Sequence, residues 1–259
     1  MKKVVKQILA PLIFHSESSA PSKNGYSRIY HNHIRKCAGS SINLSIISSL
    51  GGSSDSYVEL SKKRLHKINL PQGSVVGWNK HALNRDSFFY GFSHTPLHEL
   101  TIQQNTFCFS LLRDPSARLV SHYKMLKDLI ASNPNHPALK SEEDFAYGDF
   151  DHFLDNIPRE HLEAQLYNFS EKYCIADALK NLLGKTDYVD DISSASGTLV
   201  PFLSAEFNLS IPYSHERKSR QTFVPTKRQM TRAKNLLRNE IMFIEEAKQF
   251  YGSFRFGRE

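Results

Sequence analysis

Cysteine and tryptophan are scarce in this chain: three cysteines (Cys37, Cys108 and Cys174) and one tryptophan among 259 residues. Cysteines that are few, odd in number and widely spaced do not make a disulfide framework, so a reducing compartment, the cytoplasm, is expected. No apolar run is long enough to span a bilayer. The N-terminal "MKKVVKQILAPLIFHSESSAP" is interrupted by Lys6 and Gln7, and residues 1–26 are read as an arm or short helix, with no stable membrane anchor. Low-complexity tracts and internal repeats are lacking, which excludes fibrous and solenoid architectures. A long linker is lacking too, so residues 27–259 are expected to form a single domain.

What the chain does have is positive charge. The formal net charge is +7 and the isoelectric point is near 9.2. That balance favours an anionic partner: a nucleotide, a sulfated or acidic substrate, a membrane surface or nucleic acid. Lys62-Lys63-Arg64 and Arg217-Lys218 with Arg220 concentrate the charge locally. No nucleic-acid recognition motif accompanies them, and a solvated face accounts for each run as well.

Apolar periodicity outlines an alternation of strands and helices. "SRIYHNHI" (27–34), "GSVVGWN" (73–79), "SFFYGFS" (87–93), "NTFCFSLL" (105–112) and "TDYVDDI" (186–192) read as strands. "SSINLSIISSL" (40–50) has helical spacing. A second helix starts at Asp114 as cap with Pro115 in its first turn, and its buried stripe is Leu119, Tyr123, Leu126 and Ile130. Residues 132–148 and 210–225 read as loops, Gly184 as a helix stop, and 226–251 as one closing helix. The pattern predicts an α/β, P-loop-like three-layer fold with a central parallel sheet flanked by helices.

The stretch "HIRKCAGSS" (33–41) links the first strand to the first helix. Amides at such a turn converge, and a helix N-terminus carries partial positive charge, so the loop is built to hold an anion. Arg35, Lys36, Cys37, Ala38, Gly39, Ser40 and Ser41 are its candidate contacts: Lys36 brings a full charge, Gly39 allows close approach, and the serines donate hydroxyls. The loop is not a Walker motif, because Lys36 precedes Gly39 rather than following the last glycine. No apolar strand ends in the acid that a Mg²⁺ site would want. A second basic segment, "RDPSARLVSHY" (113–123), begins where another strand ends, at the sheet edge where ligands bind.

Together the two segments resemble the PAPS-dependent sulfotransferases, whose donor is 3′-phosphoadenosine 5′-phosphosulfate. They are most similar to the carbohydrate branch that includes heparan sulfate 2-O-sulfotransferases. "RDPSARLVSHY" agrees with that branch's "RDPxxRxxSxY" at every fixed position, and "RKCAGSS" agrees with its "PKT" loop except that Arg35 replaces Pro and Cys37 replaces Thr. The motifs lie about 77 residues apart, as in the family. "FYGFSHTPL" resembles its intervening "GH" segment, and the likeness spans most of residues 27–251.

The resemblance implies PAPS as co-substrate, adenosine 3′,5′-bisphosphate (PAP) as product, no metal, and a glycan or small-molecule alcohol as acceptor. It implies that Lys36 meets the 5′-phosphosulfate and its bridging oxygen, and that Arg113 and Ser121 hold the 3′-phosphate. Arg118 either joins them or makes a structural ion pair. His94 takes the position of the catalytic base, with His98 as the alternative. Lys218, Ser219 and Arg220 lie where the family closes over the nucleotide. His31 and His33 alternate beside Cys37, but their spacing matches no zinc pattern. Two other functions remain on the sequence alone: a P-loop kinase or NTPase, and a non-catalytic nucleic-acid-binding module.

Overall fold

The structure, a computed structural model, describes residues 22, 24–61, 66–85, 87–213 and 221–255. The expected N-terminal arm and the basic run with Lys218, Ser219 and Arg220 lie almost wholly outside the described residues. The chain begins with β1 (Arg28–Asn32), α1 (Gly39–Ser49), α2 (Ser54–Ser61), β2 (Lys67–Leu70), β3 (Gly73–Gly77), α3 (Lys80–Arg85) and β4 (Tyr90–Ser93). A 3₁₀ turn at Leu97–Glu99 leads to β5 (Thr106–Leu112) and α4 (Pro115–Ser132). Short helices follow: α5 (Pro137–Ser141), α6 (Glu143–Ala146), α7 (Phe150–Asn156), α8 (Arg159–Leu162) and α9 (Ala164–Phe169). Then come α10 (Ile175–Lys185), β6 (Tyr188–Asp191), α11 (Leu199–Phe207), α12 (Lys227–Leu236) and α13 (Arg238–Ala247).

The strands form one six-stranded sheet in the order β2-β3-β4-β1-β5-β6. All neighbours are parallel except β2 and β3, a tight antiparallel pair. Every residue of β4 and β5 is buried, so their sequences read as continuous apolar runs, as strands covered on both faces must. On one face Ile29, Phe92, Phe107 and Phe109 pack with Ile46 of α1 and Leu203 of α11. On the other, Tyr30, Val76, Cys108 and Val189 pack with Leu182 of α10 and Phe243 of α13. A third cluster joins Leu119 and Tyr123 of α4 to Phe150 and Phe153 of α7 and to Leu237.

β1 is central, with Ile29 in register with Tyr90 on one side and Phe107 on the other. The loops leaving the carboxyl ends of β1, β4 and β5 therefore emerge side by side, the place where open α/β sheets bind ligands.

Several local expectations need correction. The sheet is mixed, because β2 adds an antiparallel edge. β2 is only four residues long, alternates polar and apolar residues and has none fully buried, as an edge strand does, and that hid it in the sequence. Residues 132–148 are not only loop: His136 accepts from the Ala138 amide and Pro137 opens α5, with α6 just beyond. Gly184 lies inside the last turn of α10, which runs to Lys185. The closing helix is two helices, broken at Leu237 (φ −89°, ψ 9°). The break lets α12 pack on α4 and α7 while α13 packs on α9 and α10.

Candidate active site

The anion loop is wound tightly. Lys36 (φ 70°) and Ala38 (φ 57°) both adopt the left-handed conformation that side chains disfavour, a local cost of the kind that clusters at ligand sites. Ala38 is the N-cap of α1 and offers no side-chain acceptor. The opening amides of α1 are therefore not capped by a side chain, as an anion site requires. Ser40 Oγ lies 3.2 Å from the Tyr57 hydroxyl, and Ser41 is buried.

Gly39 is required here, though for a reason the sequence did not show. A Cβ at this position would stand 1.8 Å from Cδ2 and 2.0 Å from Nε2 of His33. The glycine lets the start of α1 close on that ring.

The second motif reaches the first directly. Arg113 Nη1 donates to the Lys36 carbonyl at 3.2 Å across 77 residues of sequence. Gln165, fully buried on α9, holds the Arg113 backbone from both sides: Arg113 N donates to Oε1 at 2.8 Å and Nε2 donates to the Arg113 carbonyl at 2.9 Å. Ser121 follows two turns along α4, partly exposed. Asp114 caps that helix as expected, accepting from the Ala117 amide at 2.7 Å.

Three basic-motif residues turn inward. Arg118 has no exposed surface. It pairs with Glu240 at 3.2 Å and donates to the carbonyls of His161 and Leu162, which makes it the structural ion pair of the two readings. Arg35 pairs with Glu142, which also accepts from His122 Nε2 at 2.9 Å. Burial alone would raise the Glu142 carboxyl, but the His122 hydrogen bond and the Arg35 charge hold it below the usual range. Cys37 does not present its thiol to the loop. Its Sγ is buried 3.5 Å from Gln165 Oε1, and burial pushes its pKa up to about 12. Any contact Cys37 makes with a ligand in the loop would therefore come from its backbone.

His94 stands just past β4. Its Nδ1 donates to the His33 carbonyl at 2.7 Å, which leaves Nε2 as the lone-pair nitrogen. The ring lies 4.3 Å from that of His33 and 6.1 Å from Trp78, while the residue keeps an exposed edge. Desolvation against these neighbours, followed by the charges of Arg35 and Lys36, lowers its pKa to about 4 despite the opposing backbone hydrogen bond. The ring is therefore uncharged at neutral pH. His98 packs on Tyr167 and lines a separate groove with Ser170 and Asp177.

Sequence reasoning missed Gln165, Asn43, Glu142 and Trp78, whose roles depend on contacts between distant segments. Trp78 carried one weak signal, as the single tryptophan in the chain. Its φ of 50° adds a third strained residue around the site. Among the described residues no group of three or more His, Cys, Asp or Glu side chains is arranged to hold a metal ion. His31 and His33 instead form a stacked pair, 5.2 Å apart.

Residues 24–241 match the model of the sulfotransferase family. The chain belongs to that family. No curated protein is matched by the chain. Sulfuryl transfer is accordingly the chemistry of this sulfotransferase, and its mostly parallel sheet with flanking helices is the corresponding fold. No helix among the described residues of this sulfotransferase is long and apolar enough to cross a membrane.

Proposed function

We propose that this sulfotransferase takes its sulfuryl group from PAPS and passes it to a hydroxyl on a glycan or small-molecule alcohol, in the manner of the carbohydrate branch. The observation that carries this reading is the hydrogen bond from Arg113 to the Lys36 carbonyl, which sets two cationic motifs side by side. A nucleotide phosphorylated at both ends of its ribose needs two such anion sites. The left-handed loop and the start of α1 suit the 5′ end; Arg113 and Ser121 suit the 3′-phosphate, the guanidinium fork matching its oxygens.

The donor supplies a sulfuryl group on a good leaving group, a phosphate oxygen. His94 Nε2 takes the proton of the acceptor hydroxyl. The acceptor oxygen then forms its bond to sulfur while the bond from sulfur to the bridging oxygen breaks, and that electron pair stays on the phosphate. Lys36 meets the negative charge that develops there. Gln165 keeps Arg113 fixed throughout.

The test is transfer of sulfur-labelled sulfuryl from PAPS across a panel of sugars, phenols and aliphatic alcohols. Label in an alcohol, with matching release of PAP, is expected. Mg²⁺-dependent ATP turnover with PAPS left intact would overturn the reading in favour of an NTPase.

A further inference from the structure

A buried polar chain runs beneath the site through Tyr90, His31, Asn43 and His33. Asn43 Oδ1 lies 2.6 Å from the Tyr90 hydroxyl and 2.7 Å from His31 Nδ1, and its Nδ2 lies 3.3 Å from His33 Nδ1. The other nitrogen of His31, Nε2, is sealed from solvent without a partner. A sealed lone pair is tolerated more readily than a sealed N–H, so the His31 proton sits on Nδ1. That nitrogen then needs an acceptor, which fixes the amide with Oδ1 toward His31 and Tyr90. Asn43 Nδ2 must donate to His33 Nδ1, and the His33 proton is left on Nε2.

The His33 side chain is 4% exposed. Its Nε2 makes no hydrogen bond among the described residues, and unlike that of His31 it is not sealed. It sits against the start of α1, where a Cβ on Gly39 would fall 2.0 Å away. Burial, then the charges around it, among them Lys36 and Arg35, hold its pKa well below the ordinary histidine value, so the ring stays neutral.

We propose that His33 is a further catalytic residue: a neutral imidazole whose Nε2–H donates to an anionic oxygen held at the start of α1, with Asn43 as the positioning residue that fixes its tautomer. The inference rests on the reading of this site as the phosphosulfate site. A neutral donor suits the position, because the His94 ring lies 4.3 Å away. An imidazolium there would further suppress the basicity of His94, whereas an N–H dipole stabilises anionic oxygen without adding charge.

The experiment uses the full chain with ¹⁵N-labelled histidine. Long-range proton–nitrogen correlation of the ligand-free protein at neutral pH is expected to show His33 protonated at Nε2, and Asn43→Asp, which accepts rather than donates at Nδ1, should move the proton. Inorganic sulfate, and separately adenosine 3′,5′-bisphosphate, should shift the Nε2–H resonance. In turnover, His33→Ala is expected to lose about 10²–10³ in kcat, the usual worth of one such donor. His33→Gln, which keeps an N–H and most of the volume, should recover most of that loss, and its folding does not depend on the alanine variant. A proton on Nδ1, no response to sulfate, or equal activity of the Gln and Ala variants would overturn the inference. A response to sulfate with none to the bisphosphate would uphold His33 as an anion donor and refute the nucleotide reading instead.

Discussion

Arg113 and Lys36 are joined by a hydrogen bond from the guanidinium to the backbone carbonyl, 3.2 Å long, which sets the two proposed anion sites side by side. Arg113→Lys keeps the charge but loses the fork. A hydrogen bond to a charged group contributes about 1.5–3 kcal/mol. The lysine variant should therefore bind adenosine 3′,5′-bisphosphate about 10- to 100-fold more weakly, as read by calorimetry. Unchanged affinity would place the 3′-phosphate elsewhere.

Arg118 should behave differently from Arg113, though both belong to the same motif. Its partner Glu240 is equally buried, and removing one member of such a pair costs roughly 3–5 kcal/mol. Arg118→Ala is expected to lower the urea midpoint sharply. Any folded fraction should bind donor nearly as the wild type does. Normal stability with lost affinity would make Arg118 a phosphate ligand.

The cysteines should rank by burial. Cys37 and Cys108 are buried, and Cys174 is partly exposed. An aromatic disulfide reagent at mildly alkaline pH should modify one thiol quickly, identified as Cys174 by peptide mapping. Cys37→Thr should leave donor affinity within about twofold, since the side chain faces Gln165 rather than the ligand. A clear gain in affinity would restore the phosphate-facing orientation.

Desolvation lowers the pKa of His94 from the ordinary histidine value to about 4. The acid limb of kcat/KM, which reports the free enzyme, should consequently lie near pH 4 rather than 6.5. The donor's negative charges offset those of Lys36 and Arg35, so the limb of kcat should lie at higher pH. His94→Ala should lower turnover by about 10²–10⁴ with donor affinity preserved. Coincident limbs, or near-normal turnover of the variant, would remove His94 from the role of base.

Buried neutral histidines also set the response of stability to acid. His31 and His122 have pKa values lowered to about 3, chiefly by burial. An unfolded chain protonates these rings near the ordinary value of about 6.5, and the folded chain does not. The unfolded state therefore binds more protons below that value, so stability is full above it and is lost as pH falls toward the folded values. Each such ring contributes at most about 1.4 kcal/mol per pH unit. Urea midpoints measured at pH values stepped from neutral to mildly acidic should fall steadily; a flat response would mean the rings are already charged in the fold.

β5, covered on both faces, reads as a mostly apolar run, whereas β1 buries His31 and Asn32 beside Ile29 and Tyr30 and is legible chiefly from the turn residues that bound it. Asp114 and Pro115 announced α4 through local cap chemistry, which needs no tertiary information. β2 was hidden because an edge strand buries little, and the break at Leu237 because it answers to two different packing layers. In the site, Lys36, Arg113 and His94 came from motif and resemblance. The inward turn of the Cys37 side chain is not visible in the motif, because it follows the backbone of a tight loop in which Lys36 and Ala38 are left-handed. Gln165 and Asn43 gave no signal. Their function lies in side-chain bonds to distant segments, Gln165 to Arg113 and Glu240 and Asn43 to His31 and Tyr90.

Donor recognition by the two proposed anion sites can be tested by one titration that needs no knowledge of the acceptor. Adenosine 3′,5′-bisphosphate and adenosine 5′-phosphate are each titrated into the full wild-type chain by calorimetry. The bisphosphate is predicted to bind at least about 10-fold more tightly, because only it fills the site of Arg113 and Ser121. Equal affinities, or binding of neither, would contradict the account.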